Sequence, residues 1–154
     1  MVWTDKQGIE DALEVIEEGL YYLPRARTEY QSYYPSPQVF DVMTKWIGIL
    51  EYIKAGLSGT AKLRIEDNKV KKVELSSKKW FLEKEIIPND KEKIEDALQV
   101  CEYFISGLQQ NLTEWKTTLE GIHFDPEVMK LQEQCRNSME KIKYRLLGQR
   151  TRTI

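Results

Sequence analysis

Residues 5–17 read DKQGIEDALEVIE, and residues 90–102 read DKEKIEDALQVCE. Nine of these thirteen positions are identical at a fixed offset of 85 residues. Each copy spaces its apolar residues three and four apart: Ile9, Ala12, Leu13 and Ile16, then Ile94, Ala97, Leu98 and Cys101. That spacing makes one face of an amphipathic helix. Thr4 with Gln7, and Asn89 with Glu92, are placed as capping boxes, in which a side-chain oxygen caps the first turn and the residue three later reaches back. The identities include acids that packing does not require, so duplication of a helical unit explains them better than two helices sharing good caps.

Outward from these stretches the pattern continues. Ser36-Pro37-Gln38-Val39 is echoed by Asp125-Pro126-Glu127-Val128 at an offset of 89. Each is a capping residue followed by proline at the first helical position, where its missing N–H is harmless. Helices are predicted at about 5–23, 37–57, 90–120 and 126–147, with Pro24 ending the first and Gly148 the last. Val39, Val42, Met43, Trp46, Ile47, Leu50, Ile53 and Leu57 face inward on the second. Leu98, Phe104, Ile105 and Leu108 belong to the inward stripe of the third.

Between the halves the period changes to two. Ala61 to Ile65 and Val73 to Leu75 alternate around the turn residues Asp67-Asn68, which predicts a β-hairpin at about 61–75. A three-residue loop pairs Leu63 with Val73 and Ala61 with Leu75, giving one apolar face, and that register is expected. Residues 80–87, WFLEKEII, read as a further strand in preference to a short helix. The expected fold is therefore mainly α: a four-helix bundle-like arrangement of two helical hairpins, with a small β-hairpin inserted. One domain of 154 residues divides into a first hairpin (1–58), an insertion and linker (59–88), a second hairpin (89–148) and a basic frayed tail (149–154).

Composition bounds the function. At 41% hydrophobic and 31% charged, the chain is of globular type. No apolar run approaches the ~20 residues of a membrane span, and the acidic start lacks a signal-peptide layout. A cytoplasmic protein with reduced thiols, away from the membrane, is expected. Two cysteines, Cys101 and Cys135, exclude a disulfide scaffold, and both read as small core residues too far apart to bond. The single histidine, His123, makes Glu120-Gly121-Ile122-His123 insufficient for a di-iron bundle. Gly56-Leu57-Ser58-Gly59-Thr60-Ala61-Lys62 has neither the spacing nor the strand-to-helix context of a phosphate loop and reads as a helix stop. No cofactor is expected.

Three sets of residues remain as candidate sites. The segment 21–37 holds five tyrosines, two arginines and three prolines, more than a helix–helix link requires. Tyr and Arg bury area at small entropic cost and dominate binding hot spots. Tyr22, Arg25, Arg27, Tyr30, Tyr33 and Tyr34 are thus candidates for contact with a protein partner or a second copy of the chain, against the plainer reading that they cover the bundle end. Glu10, Glu14, Glu95 and Asp96 are the carboxylates of an alternative, a Mg²⁺- or Mn²⁺-dependent helical phosphohydrolase, against a solvated acidic face near helix starts. Lys141, Lys143, Arg145, Arg150 and Arg152 belong to a second alternative, a contact with nucleic acid. Residues 136–154 carry +5 while residues 1–135 carry −7, so such a contact is confined to the tail and less favoured. The basic end can equally lie on the body's own acidic surface. The leading expectation is a non-enzymatic interaction or assembly module.

Overall fold

The structure, a computed structural model, describes residues 4–33, 35–66, 69–74, 89–118 and 126–148. Along the chain come α1 (Asp5–Tyr33), α2 (Pro37–Ser58), β1 (Ala61–Glu66), β2 (Lys69–Glu74), α3 (Asp90–Thr118) and α4 (Pro126–Leu146). The mainly helical, bundle-like arrangement anticipated from the sequence is present. Asp67-Asn68, residues 75–88, the segment around His123 and the end of the tail lie outside the described residues.

Capping chemistry sets the helix ends. Thr4 Oγ1 accepts from the Gln7 N–H at 3.2 Å, and Gln7 Oε1 accepts from the Thr4 N–H at 3.1 Å, closing both halves of the box. At the repeat, Asn89 Oδ1 accepts from the Glu92 N–H at 2.9 Å. Ser36 Oγ accepts from the Val39 N–H at 3.3 Å, with Pro37 at the first helical position. Gly59 ends α2 at φ +78°, where its N–H donates to the Gly56 carbonyl at 3.3 Å and the Thr60 N–H donates to that of Ala55 at 3.0 Å. This two-bond stop needs a left-handed residue, which glycine supplies without a Cβ clash.

One expected boundary is wrong. Pro24 does not end the first helix; α1 continues through it to Tyr33. Proline there removes one backbone hydrogen bond and crowds the preceding turn. Packing outweighs that cost, because Leu23 is buried and Ala26 and Tyr30 pack on the core at helical spacing. The Thr28 hydroxyl also donates to the Pro24 carbonyl at 3.1 Å. What the sequence presents as a long connection is therefore mostly helix, and only residues 34–36 separate α1 from α2.

The helices run up, down, up and down. On α1 and α2, Glu17 pairs with Lys54 at 2.8 Å, and farther along Arg27 donates to the Thr44 hydroxyl at 3.0 Å. On α1 and α4, Asp11 lies 3.9 Å from Arg145, while the Tyr30 hydroxyl donates to Glu127 at 3.0 Å. Partner numbers fall as α1 is ascended, so both neighbours are antiparallel to it. α1 packs mainly on α2 and α4, α3 mainly on α4, and β1 rests on both α2 and α3. A continuous core draws on all four helices and Leu63. Repeat-equivalent positions share burial: Ile9 with Ile94 and Ala12 with Ala97 are buried, and Leu13 with Leu98 are half-buried.

The hairpin forms, but in a different register. Ala61 pairs with Glu74, Lys62 with Val73, Leu63 with Lys72 and Ile65 with Val70. Two residues connect the strands, one fewer than expected, and a one-residue slip exchanges the faces of a strand. The predicted pairing assumed that both strands contribute equally to one apolar face. Instead β1 supplies Ala61 and Leu63 as fully buried residues, and Val70 packs beside them opposite Ile65.

Candidate functional site

Because α1 stays helical past Pro24, its tyrosines take positions fixed by helical geometry. At about 100° per residue, Tyr21, Arg25 and Tyr22 fall within a sector of about 100° on the side away from Ile16, Leu23 and Tyr30, and Tyr33 lies at its margin, about 60° from Tyr30. Tyr21, Tyr22 and Tyr33 are 53, 60 and 67% exposed, the highest values among the large hydrophobic residues described. Tyr21 and Tyr22 meet edge to face, with ring centroids 5.0 Å apart, and the Arg25 guanidinium lies 4.1 Å from the Tyr21 ring centre. These contacts restrict the side chains without burying them.

The structure thereby divides the expected tyrosine–arginine set. Tyr22, Arg25 and Tyr33 lie on the exposed face. Tyr30 is half-buried, bonded to Glu127 and stacked on Tyr33 at 5.5 Å. Arg27 reaches α2, donating to Thr44 and standing 5.1 Å over the Phe40 ring. Tyr34 lies outside the described residues. Tyr21, absent from the expected set, completes the face; it precedes Pro24 and already falls within the helix expected at about 5–23, and carrying the helical period through Pro24 is what brings Arg25 beside it.

The carboxylates are placed differently. Glu10, Glu14 and Glu95 are exposed, and Asp96 is paired with Lys62 of β1. No group of three or more His, Cys, Asp or Glu residues among the described residues is arranged to hold a metal ion. Of the basic set, Lys141 is exposed, Lys143 is bound to Glu102 of α3, and Arg145 faces Asp11 of α1. Arg150 and Arg152 lie outside the described residues. The basic end of α4 thus meets acids of both copies of the repeat.

A second feature was not visible as a site in the sequence. A groove of 1210 Å³ opens between α2 and α3, with α4 forming part of its wall. Val42 and Trp46 from α2, and Leu98, Phe104 and Leu108 from α3, line it. Their spacing predicts burial, yet all five are only half-buried, because α2 and α3 stand apart here. Cys135 borders the groove, and burial pushes its thiol up to about 12. Cys101, unpaired like Cys135, is pushed up to about 12 by burial, with Glu102 adding and Lys143 opposing. Thiols held neutral in this way are poor nucleophiles.

No helix among the described residues is long and apolar enough to cross a membrane. Comparison with known proteins finds no matching family model, no matching curated protein and no matching solved structure.

Proposed function

We propose that the protein is a non-catalytic interaction module that engages a protein partner through the exposed face of α1. The observation that carries this reading is the grouping of Tyr21, Tyr22 and Tyr33 with Arg25 on one side of a helix whose opposite side is core. Three largely exposed tyrosines add little to the fold, whereas Tyr and Arg side chains supply contact area at low entropic cost when covered by a partner. The same reading takes the two hairpins as copies of one ancestral unit, supported by matching caps and matching burial at equivalent positions. It places the protein in a reducing, cytoplasmic setting, in keeping with two buried unpaired thiols.

The test compares the wild type with a Tyr21→Ala/Tyr22→Ala/Tyr33→Ala variant as bait from the native host, alongside sedimentation for self-association. The variant should lose the specific partner, or the dimer, while its Tm stays within about 2 °C of wild type, as expected for exposed positions. Unchanged capture and unchanged self-association would remove the α1 face from consideration. A large fall in Tm would assign the tyrosines to the fold.

A further inference from the structure

We propose that the exposed face of α1 receives a basic segment of its protein partner, with an arginine against Glu18 and Tyr22 and further cations along Glu14 and Glu10. The proposal rests on α1 being the docking face and adds the chemistry of what docks there.

The tyrosines do not stand alone on that face. At about 100° per residue, Glu10, Glu14, Glu18, Tyr21 and Arg25 fall within a sector of about 80°, with Tyr22 at its edge. All six are exposed. Glu10, Glu14 and Glu18 follow one another at four-residue steps, a row of like charges that opposes helix formation. They lie beyond the first turn of α1, where the helix dipole would offset that repulsion. None of the three forms an ion pair with a described residue.

The second copy of the repeat shows which acids the fold uses. Asp11 and Glu17 face Arg145 and Lys54, and their counterparts Asp96 and Glu102 are bound by Lys62 and Lys143. At the positions of Glu14 and Glu18, α3 carries Gln99 and Tyr103 instead. An equivalent helix therefore forms without the row, and the row belongs to α1 alone.

Its neighbours specify the kind of cation. Glu18 precedes Tyr22 by one turn, so a carboxylate and a 60% exposed ring stand side by side. A guanidinium can pair with the one and stack on the other, which an ammonium does less well. The Tyr21 ring already holds a guanidinium, that of Arg25, at 4.1 Å. Arg25 also repels further cations at its own end, so the partner's basic residues run from Tyr22 towards Glu10. The −7 carried by residues 1–135 steers such a segment inward and disfavours an acidic one.

The experiment is calorimetric titration of the full chain with octa-arginine, octa-lysine and octa-glutamate. Octa-arginine should bind saturably and weaken as salt is raised, octa-lysine should bind at least about threefold more weakly, and octa-glutamate should not bind. Glu10→Gln/Glu14→Gln/Glu18→Gln should weaken octa-arginine at least about tenfold, with Tm at or above that of wild type. Asp41→Asn/Glu51→Gln/Glu133→Gln removes the same charge from exposed positions on α2 and α4 and should weaken it less than about threefold. Tyr22→Ala should abolish the preference for arginine over lysine. Absence of saturable binding, or equal losses in the two charge variants, would overturn the proposal. So would octa-arginine binding about tenfold tighter to Arg150→Gln/Arg152→Gln, which would assign the row to the chain's own basic end. Capture from the native host separates the two ideas. A partner lost by the tyrosine variant but kept by the Glu10/Glu14/Glu18 variant leaves α1 as the docking face and refutes its basic occupant, whereas a partner kept by both refutes both.

Discussion

Gly56 shows how closely single residues are constrained. A Cβ there would lie 2.5 Å from Leu63 Cδ1 and 2.7 Å from its Cγ, and Leu63 of β1 is fully buried. Gly56→Ala should destabilise by about 1–3 kcal/mol, as overpacking does, despite the better helix propensity of alanine, and urea titration would measure it. The cysteines give a residue-scale test of the core. Both thiols have an ordinary value of 9.0 and are held near 12 by burial. The folded chain therefore keeps protons that the unfolded chain releases between these values, and stability falls as pH rises through that window. Lys143 shifts upward from 10.5, chiefly through its hydrogen bond to Glu102, and its contribution is likewise lost at alkaline pH. Unfolding midpoints should decline steadily above about pH 9, and the slope should flatten when both cysteines are replaced by alanine. Thiol reagents should label neither residue at neutral pH until the protein unfolds.

At the scale of elements, caps and breaks differ in how firmly they act. Thr4, Ser36, Asn89 and Gly59 perform locally the roles their identities suggest, because each satisfies backbone groups within a few residues of itself. Pro24 is different: its penalty is local, but the gain that overrides it comes from burying Leu23 and packing Ala26 and Tyr30. The stripe beyond the proline was present in the sequence, and the weight given to proline concealed it. Pro24→Ala should therefore stabilise α1, by about 1–3 kcal/mol given the propensity difference, with unchanged helical content by circular dichroism. A drop in stability would mean that the proline ring itself packs productively. The hairpin register was misjudged for a related reason: one apolar face shared by both strands favoured the three-residue loop, whereas β1 supplies Ala61 and Leu63 to the core opposite Glu74 and Lys72.

For the whole molecule, four amphipathic stripes implied the bundle, and the bundle is what forms. The separation of α2 from α3 was not legible, because Val42, Trp46, Leu98 and Phe104 have core spacing whether a helix or open space lies opposite. The charge asymmetry was legible only as alternatives, and contacts from Lys143 to Glu102 and from Arg145 to Asp11 place part of the basic end on the body itself. Gly48→Ala and Gly107→Ala should each stabilise by about 0.5–1 kcal/mol, since nothing opposes the added methyl, and chemical denaturation of the double variant should show nearly additive gains.

One bond carries a consequence for motion. The Tyr30 hydroxyl on Glu127 links the last turns of α1 to the first turn of α4, whereas the chain joins the two hairpins only at the opposite end, through residues 59–89. That phenol therefore adds a polar fastening between the halves at the end where the chain does not join them. In Tyr30→Phe, amide protons near residues 28–33 and 126–130 should exchange faster together, while those beside β1 keep their protection.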